Sequence, residues 1–186
     1  MDDNKIIDLY WARSQQAIAE SQIKYGAYCR AIARNILDRE EDAEECVNDT
    51  WLRAWNAIPP QRPTVLQAFF GKLTRNLSLD RWRRERAAKR GGSQTELALE
   101  ELEGCLSARE QVEDALNAEQ TGEIISRFLR TLPDADRKLF VRRYWYLDSI
   151  QTLAAGFHMG QSQVKSRLHR IRQKLRTELE KEGVAV

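Results

Sequence analysis

The stretch Val164-Lys165-Ser166-Arg167-Leu168-His169-Arg170-Ile171-Arg172-Gln173-Lys174-Leu175-Arg176 sets cations and hydrogen-bonding groups at helical spacing. Val164, Leu168, Ile171 and Leu175 fall at i, i+4, i+7 and i+11, one face of a helix. Every other face carries Lys, Arg, Ser, His or Gln. Such side chains do recognition chemistry. Lys and Arg neutralise phosphates, Arg pairs in bidentate fashion with guanine, and Ser bonds to bases or backbone. Just upstream, Leu153-Ala154 and Phe157-His158-Met159-Gly160 read as a short helix and a tight turn. Short helix, turn and basic amphipathic helix make the helix-turn-helix pattern, which lays its second helix in the major groove of duplex DNA. A second basic run, Arg81, Arg83, Arg84, Arg86, Lys89 and Arg90, has Trp82 embedded in it. Charge for phosphates and a ring for a base face suit single-stranded or melting DNA. Covalent chemistry has no comparable constellation. There is no Ser-His-Asp set, no metal cluster and no phosphate loop, and the two histidines, His158 and His169, make no metal pair. The reading is a nucleic-acid binder without cofactor, metal or enzymatic activity.

The distribution of charge supports two separate contacts. The formal net charge of +2 divides into four blocks: −3 over residues 1–64, +6 over 65–90, −7 over 91–119 and +6 over 120–186. Two basic blocks around an acidic one suggest two nucleic-acid faces on a jointed molecule; solvated helix faces are the alternative for either block alone. Cys29, Cys46 and Cys105 are odd in number and lack metal-ligand spacing, which suits a reducing compartment, with Cys29 and Cys46 as small core residues. No signal peptide and no apolar run of membrane length is present, so a cytoplasmic protein without membrane insertion is expected.

The elements that position these residues are helical. Residues 4–37 read as one helix, with Ile18, Tyr25, Tyr28, Ile32 and Ile36 as its stripe. Asp42 opens a second helix through Ile58, with Ala43, Val47, Thr50, Trp51, Ala54 and Ile58 inward. Leu52 and Trp55 lie outside that stripe, near Asn48 and Asp49, and suggest a partner surface; for Trp55 a wider buried face fits as well. Pro59-Pro60-Gln61-Arg62-Pro63 ends this helix. The next runs from about Val65 to Lys89, with Leu66, Phe69, Phe70, Leu73 and Leu77 inward. Gly91-Gly92-Ser93 marks a domain boundary. An acidic linker, with room for partial helix, follows to residue 117. A second domain begins near Ala118. Ile124, Ile125, Phe128 and Leu129 pattern a helix stopping at Leu132-Pro133, and Asp134 to Tyr146 form another with Leu139, Phe140 and Tyr144 inward. Ser149 caps a short helix Ile150–Gly156, and a basic helix spans about Gln161 to Lys181. The expected fold is all-α: two small helical domains, 1–90 and 118–186, joined by a flexible acidic linker, 91–117.

Three of these segments together resemble the extracytoplasmic-function (ECF) group of bacterial sigma factors. Asp42-Ala43-Glu44-Glu45-Cys46-Val47-Asn48-Asp49-Thr50-Trp51-Leu52-Arg53-Ala54-Trp55 is similar to the polymerase-docking helix of region 2. Leu73-Thr74-Arg75-Asn76-Leu77-Ser78-Leu79-Asp80-Arg81-Trp82-Arg83-Arg84 resembles the helix that reads the minus-ten element. Val164-Lys165-Ser166-Arg167-Leu168-His169-Arg170 resembles the region 4 recognition helix that reads the minus-thirty-five element. The resemblance implies that Asn48, Asp49, Leu52 and Trp55 face the clamp helices of the polymerase largest subunit. It implies base reading by Asn76, with Arg75, Arg81, Trp82, Arg83 and Arg84 on the minus-ten strand. Ser162, Lys165, Ser166, Arg167, His169 and Arg170 would contact the minus-thirty-five duplex; for His169 the alternative is a solvated helix position or a phosphate contact. Two departures stand out. The Pro-rich segment 59–64 lacks the aromatic expected of a base-gripping loop, and Gly71 stands mid-helix where a larger residue is usual. His158 occupies a turn position often held by Gly and calls for a left-handed backbone.

The implied function is a dissociable initiation subunit. Its first domain docks on core RNA polymerase and captures the unpaired minus-ten strand, and its second grips upstream duplex DNA beside the flap of the second-largest subunit. Melting by capture of flipped bases needs no covalent chemistry. By the same analogy the acidic linker follows the RNA path in polymerase, and an anti-sigma factor is an expected partner. The alternative is a stand-alone helix-turn-helix regulator, which would not need the docking helix. An adaptor or anti-sigma protein would not need base-reading residues in both domains.

Overall fold

The computed structural model describes residues 1–86, 94–104 and 114–183, among which all regular structure is α-helical. Lys89, Arg90, the Gly91-Gly92-Ser93 boundary and Cys105 lie outside the described residues. The chain divides into two compact units, Met1–Gly91 and Gly92–Val186. No described helix is long and apolar enough to cross a membrane.

The first unit packs α1 (Asp3–Trp11), α2 (Gln16–Ile36), α3 (Glu40–Ala57) and α4 (Leu66–Arg86) around one core. Phe70 lies at its centre, fully buried, with Trp51 edge-on at 5.2 Å and Tyr25 tilted at 5.4 Å. Each such aromatic pair adds about 0.5–1.5 kcal/mol beyond burial itself. The expected inward residues of α3 are all buried. The hydroxyls of Thr50 on α3 and Thr74 on α4 lie 3.0 Å apart in the core, each also within reach of the carbonyl four residues back, so one donates to the other hydroxyl while that hydroxyl donates to its own helix. Small satisfied hydroxyls there cost little to bury.

The expected single helix 4–37 is two helices. The chain turns at Ala12 to Gln15, with Arg13 in left-handed conformation at φ 53°. Periodicity could not reveal the break because the buried face stays in phase across it: Ile6, Tyr10, Ala17, Ser21 and Tyr25 continue one stripe. At Gly71 an added Cβ would lie 2.5 Å from the Tyr28 hydroxyl oxygen. The Tyr28 side chain fills the space that a larger residue would occupy.

The second unit contains α5 (Gln94–Glu103), α6 (Asp114–Thr131), α7 (Asp134–Tyr144), α8 (Ile150–Gly156) and α9 (Gln161–Lys181). Its core joins Ile124 and Phe128 of α6, Leu139, Phe140 and Tyr144 of α7, Leu153 of α8, and Val164, Leu168, Ile171, Leu175 and Leu179 of α9. Within the segment expected as linker, α5 is ordered and belongs to this unit. Thr95 and Ala98 are buried, Leu102 packs on the core, and Glu101 pairs with the buried Arg143. An acidic composition pointed to solvation, but one carboxylate finds a buried cation 42 positions away. Ser149 caps α8 as expected, its hydroxyl accepting from the Thr152 amide at 3.0 Å.

Candidate nucleic-acid interface

The helix-turn-helix is α8, the turn Phe157–Gly160 and α9. His158 takes the left-handed conformation at φ 52° that the turn demands. The Gly160 amide donates to the Gln163 side chain at 3.0 Å, closing the start of α9. Arg142 of α7 braces the same corner. Its Nε donates to Asp148 at 2.6 Å, and its guanidinium lies 5.9 Å from the centre of the Phe157 ring.

Packing of Val164, Leu168, Ile171 and Leu175 inward turns a defined ridge outward. Ser162, Lys165, Ser166, His169 and Arg170 are all exposed. Grooves run along both sides of this ridge. Asp136, Met159, Ser162, Arg167, Arg170 and Lys174 line one, and Glu101, Ile150, Lys165, His169 and Arg172 line the other. Arg167 departs from the expectation. It is half-buried, and its Nε donates to Asp136 of α7 while Nη1 reaches the Met159 sulfur at 3.8 Å. Arg167 therefore ties α9 to α7 instead of standing on the reading ridge. Lys174, exposed one turn after Arg170, borders the same groove and was missed; its i+4 spacing from Arg170 was the available signal.

On α4, Asn76, Arg83 and Arg84 are exposed and share a face, with Lys72 one turn before Asn76. Lys72 is a cation that the sequence reading passed over. Arg75 is half-buried. Burial, then the like charge of Arg83, lowers its pKa from the ordinary guanidinium value. Two expected DNA contacts are corrected. Trp82 retains 9% exposure and is a core residue, so its ring is not on the surface for stacking. The basic run around it gave the impression of an outer face, yet position 82 follows Phe70, Thr74 and Ser78 along the buried side of α4. Arg81 is a bridge between helices. It donates to Asp42 and Glu45 of α3 at 2.5 Å each and to Glu85 at 3.2 Å. The bond to Glu45 outweighs the opposing effect of burial and, with Glu85 and Asp42, raises the Arg81 pKa. Its charge is therefore already matched within the protein.

The candidate docking face lies on α3. Asn48, Asp49 and Leu52 are exposed, Leu52 with 58% of its surface. Trp55 is half-buried against the core. Its ring lies 6.2 Å from Tyr10 and 5.4 Å from the Arg13 guanidinium, while Arg13 also donates to the Trp55 carbonyl at 2.6 Å. The wider buried face thus accounts for much of Trp55. Cys29 and Cys46 are buried free thiols, and burial pushes the Cys29 thiol up to about 11.

The sequence matches the family model for Sigma-70 region 2 over residues 24–88 and that for Sigma-70, region 4 over residues 128–177, together more than half of the chain. No curated relative matches at a significant level. Among solved structures, CnrH in complex with the cytosolic domain of CnrY aligns with a TM-score of 0.42 at 20% identity, over 96% of this chain and 97% of that one. With region 2 spanning α3, α4 and most of α2, and region 4 spanning the end of α6 through most of α9, the chain belongs to the sigma-70 family: it is a sigma factor, which binds core RNA polymerase and directs promoter-specific transcription initiation.

Proposed function

We propose that this sigma factor works in the manner of the ECF group, with three surfaces dividing the labour. Asn48, Asp49 and Leu52, with the accessible part of Trp55, form the face for the clamp helices of the polymerase largest subunit. Asn76 reads a base of the unpaired minus-ten strand, while Lys72, Arg75, Arg83 and Arg84 hold its phosphates. Burial lowers the Arg75 pKa most and the like charge of Arg83 adds to it; a phosphate beside both arginines would offset that second, smaller effect. Ser162, Lys165, Ser166, His169 and Arg170 enter the upstream major groove, and Lys174 takes a phosphate at its edge.

The observation that carries the reading is the outward ridge of α9. Five polar or basic side chains at recognition positions are exposed together, while the apolar stripe that fixes the helix is buried. The second unit also meets the flap of the second-largest subunit in this reading. The cell compartment is the cytoplasm, where core polymerase resides, and an anti-sigma partner belongs to the same reading through the family resemblance. Arg170→Ala is the test. Selection of upstream sequences by holoenzyme from a random pool should lose preference at one base pair, a cost of about 1–3 kcal/mol. A uniform loss across all sequences would make Arg170 a phosphate contact, and no loss would remove α9 from the DNA.

A further inference from the structure

Between the two family segments lies α5, and its Glu101 makes contacts that neither basic face explains. One carboxylate bridges two helices of the reading unit. Glu101 accepts from Arg143 of α7 at 2.9 and 3.3 Å through both oxygens, from the Tyr144 hydroxyl at 3.0 Å, and from Arg172 of α9 at 3.3 Å. Arg172 in turn donates to the Tyr144 hydroxyl oxygen at 2.5 Å. The Arg143 side chain is 1% exposed, and among the described residues Glu101 supplies the carboxylate that balances it. The third guanidinium nitrogen of Arg143 donates to the Asp148 carbonyl at 3.0 Å, in the segment that leads into α8. Glu101 also walls the groove that holds Lys165, His169 and Arg170.

We infer that Glu101 is a positioning residue for upstream DNA reading, supplied from outside both segments that match the family models: it balances Arg143 and fixes Arg172, and so sets the placement of α9 relative to α7. The inference rests on the reading of α9 as the upstream-element helix. A buried guanidinium without its carboxylate is strongly unfavourable, because the charge has lost both water and partner. Arg172 freed from Glu101 no longer ties α9 to α5. A bidentate, shared carboxylate is a geometric constraint as well as a charge, and recognition tolerates little displacement of the reading helix.

Three full-chain variants, each assembled with core polymerase, test this on the upstream duplex that the wild-type holoenzyme selects from a random pool. Glu101→Gln should lower the hydrogen-exchange protection of α7 and α9 and weaken upstream binding by about tenfold, a loss in the range for misplaced recognition groups. In the double variant Glu101→Met with Arg143→Met the fully buried guanidinium is gone and only Arg172, whose side chain is 16% exposed, still lacks its carboxylate, so most of the exchange protection should return while binding stays weak. Recovery of binding together with protection would overturn the positioning role, leaving only charge balance. Unchanged binding in Glu101→Gln would overturn it too, and tighter binding would make α5 a mask over the basic face. Arg170→Ala serves as the control. If it has no effect, the reading of α9 fails; if it weakens binding and Glu101→Gln does not, only the present inference fails.

Discussion

Arg81→Met separates a structural arginine from a DNA-binding one. Arg81 holds three carboxylates, but they do not count equally. The Glu45 and Glu85 side chains are 62% and 49% exposed, and exposed pairs contribute about 0–1 kcal/mol each. The Asp42 side chain is 9% exposed and lies 2.5 Å from Arg81. Removing one member of a buried pair costs about 3–5 kcal/mol. The Arg81 side chain itself is 23% exposed, so water reaches part of the vacated site. The expected cost is therefore about 2–3 kcal/mol, set against the rule for buried pairs. A domain of this size loses about 4–8 °C per kcal/mol, so the melting temperature of the first unit should fall by roughly 10–20 °C. Calorimetry of the full chain reads the shift, and Asp42→Asn in the same background should recover part of it. If Arg81 were a phosphate ligand, stability would change by no more than about 0.5 kcal/mol while the salt slope of DNA binding fell by about 1. That second pattern would refute the assignment.

Three further outcomes follow from single side chains. Asp49→Arg, on the exposed face of α3, should abolish co-purification with core polymerase and leave the melting curve of the free chain unchanged, since a reversed charge in an interface costs several kcal/mol; undiminished co-purification would remove α3 from the docking face. Cys29, with its thiol raised from 9.0 to about 11, should hold about 100-fold less thiolate than an unperturbed thiol near pH 8 and resist alkylation until the chain unfolds, as mass spectrometry of modified peptides would show. Burial of Asp3 is more than offset by the hydrogen bonds from Lys24 and Tyr25, so its folded-state pKa lies below 3.8. A depressed carboxylate stabilises fully above its unfolded value and loses that contribution as pH falls below 3.8 through the folded value. Urea titrations should therefore show acid loss of stability that Asp3→Asn flattens, and equal acid slopes in both proteins would contradict this.

The second unit was more legible in the sequence than the first. Ser149, the tight turn at His158 and the stripe Val164, Leu168, Ile171 and Leu175 are local signals, and the helices Ile150–Gly156 and Gln161–Lys181 follow from them. The break between α1 and α2 left no such signal, since no proline or glycine marks it and the buried stripe runs through in phase. Long cations misled for a different reason. Arg81, Arg167 and Arg143 look alike along the chain, but the carboxylates that hold them to other helices lie 31 to 42 positions away, and only packing decides which guanidinium faces solvent. The order in α5 was hidden in the same way. A run of glutamates reads as a solvated linker until Arg143 and Arg172 are brought to Glu101.

The central claim is that this chain gives core polymerase its promoter choice, which neither component has alone. Purified full-length protein, core polymerase and a random-sequence duplex pool suffice to test it, with initiation sites mapped and unpaired thymines detected by permanganate. The account predicts that the mixture initiates at sequences sharing an upstream and a minus-ten element, with the minus-ten strand unpaired. It predicts that the free chain binds those sequences weakly, with a steep loss at higher salt, because only docking makes the two basic faces act together. Tight, sequence-specific binding by the free chain, with initiation by core polymerase unchanged on its addition, would contradict it.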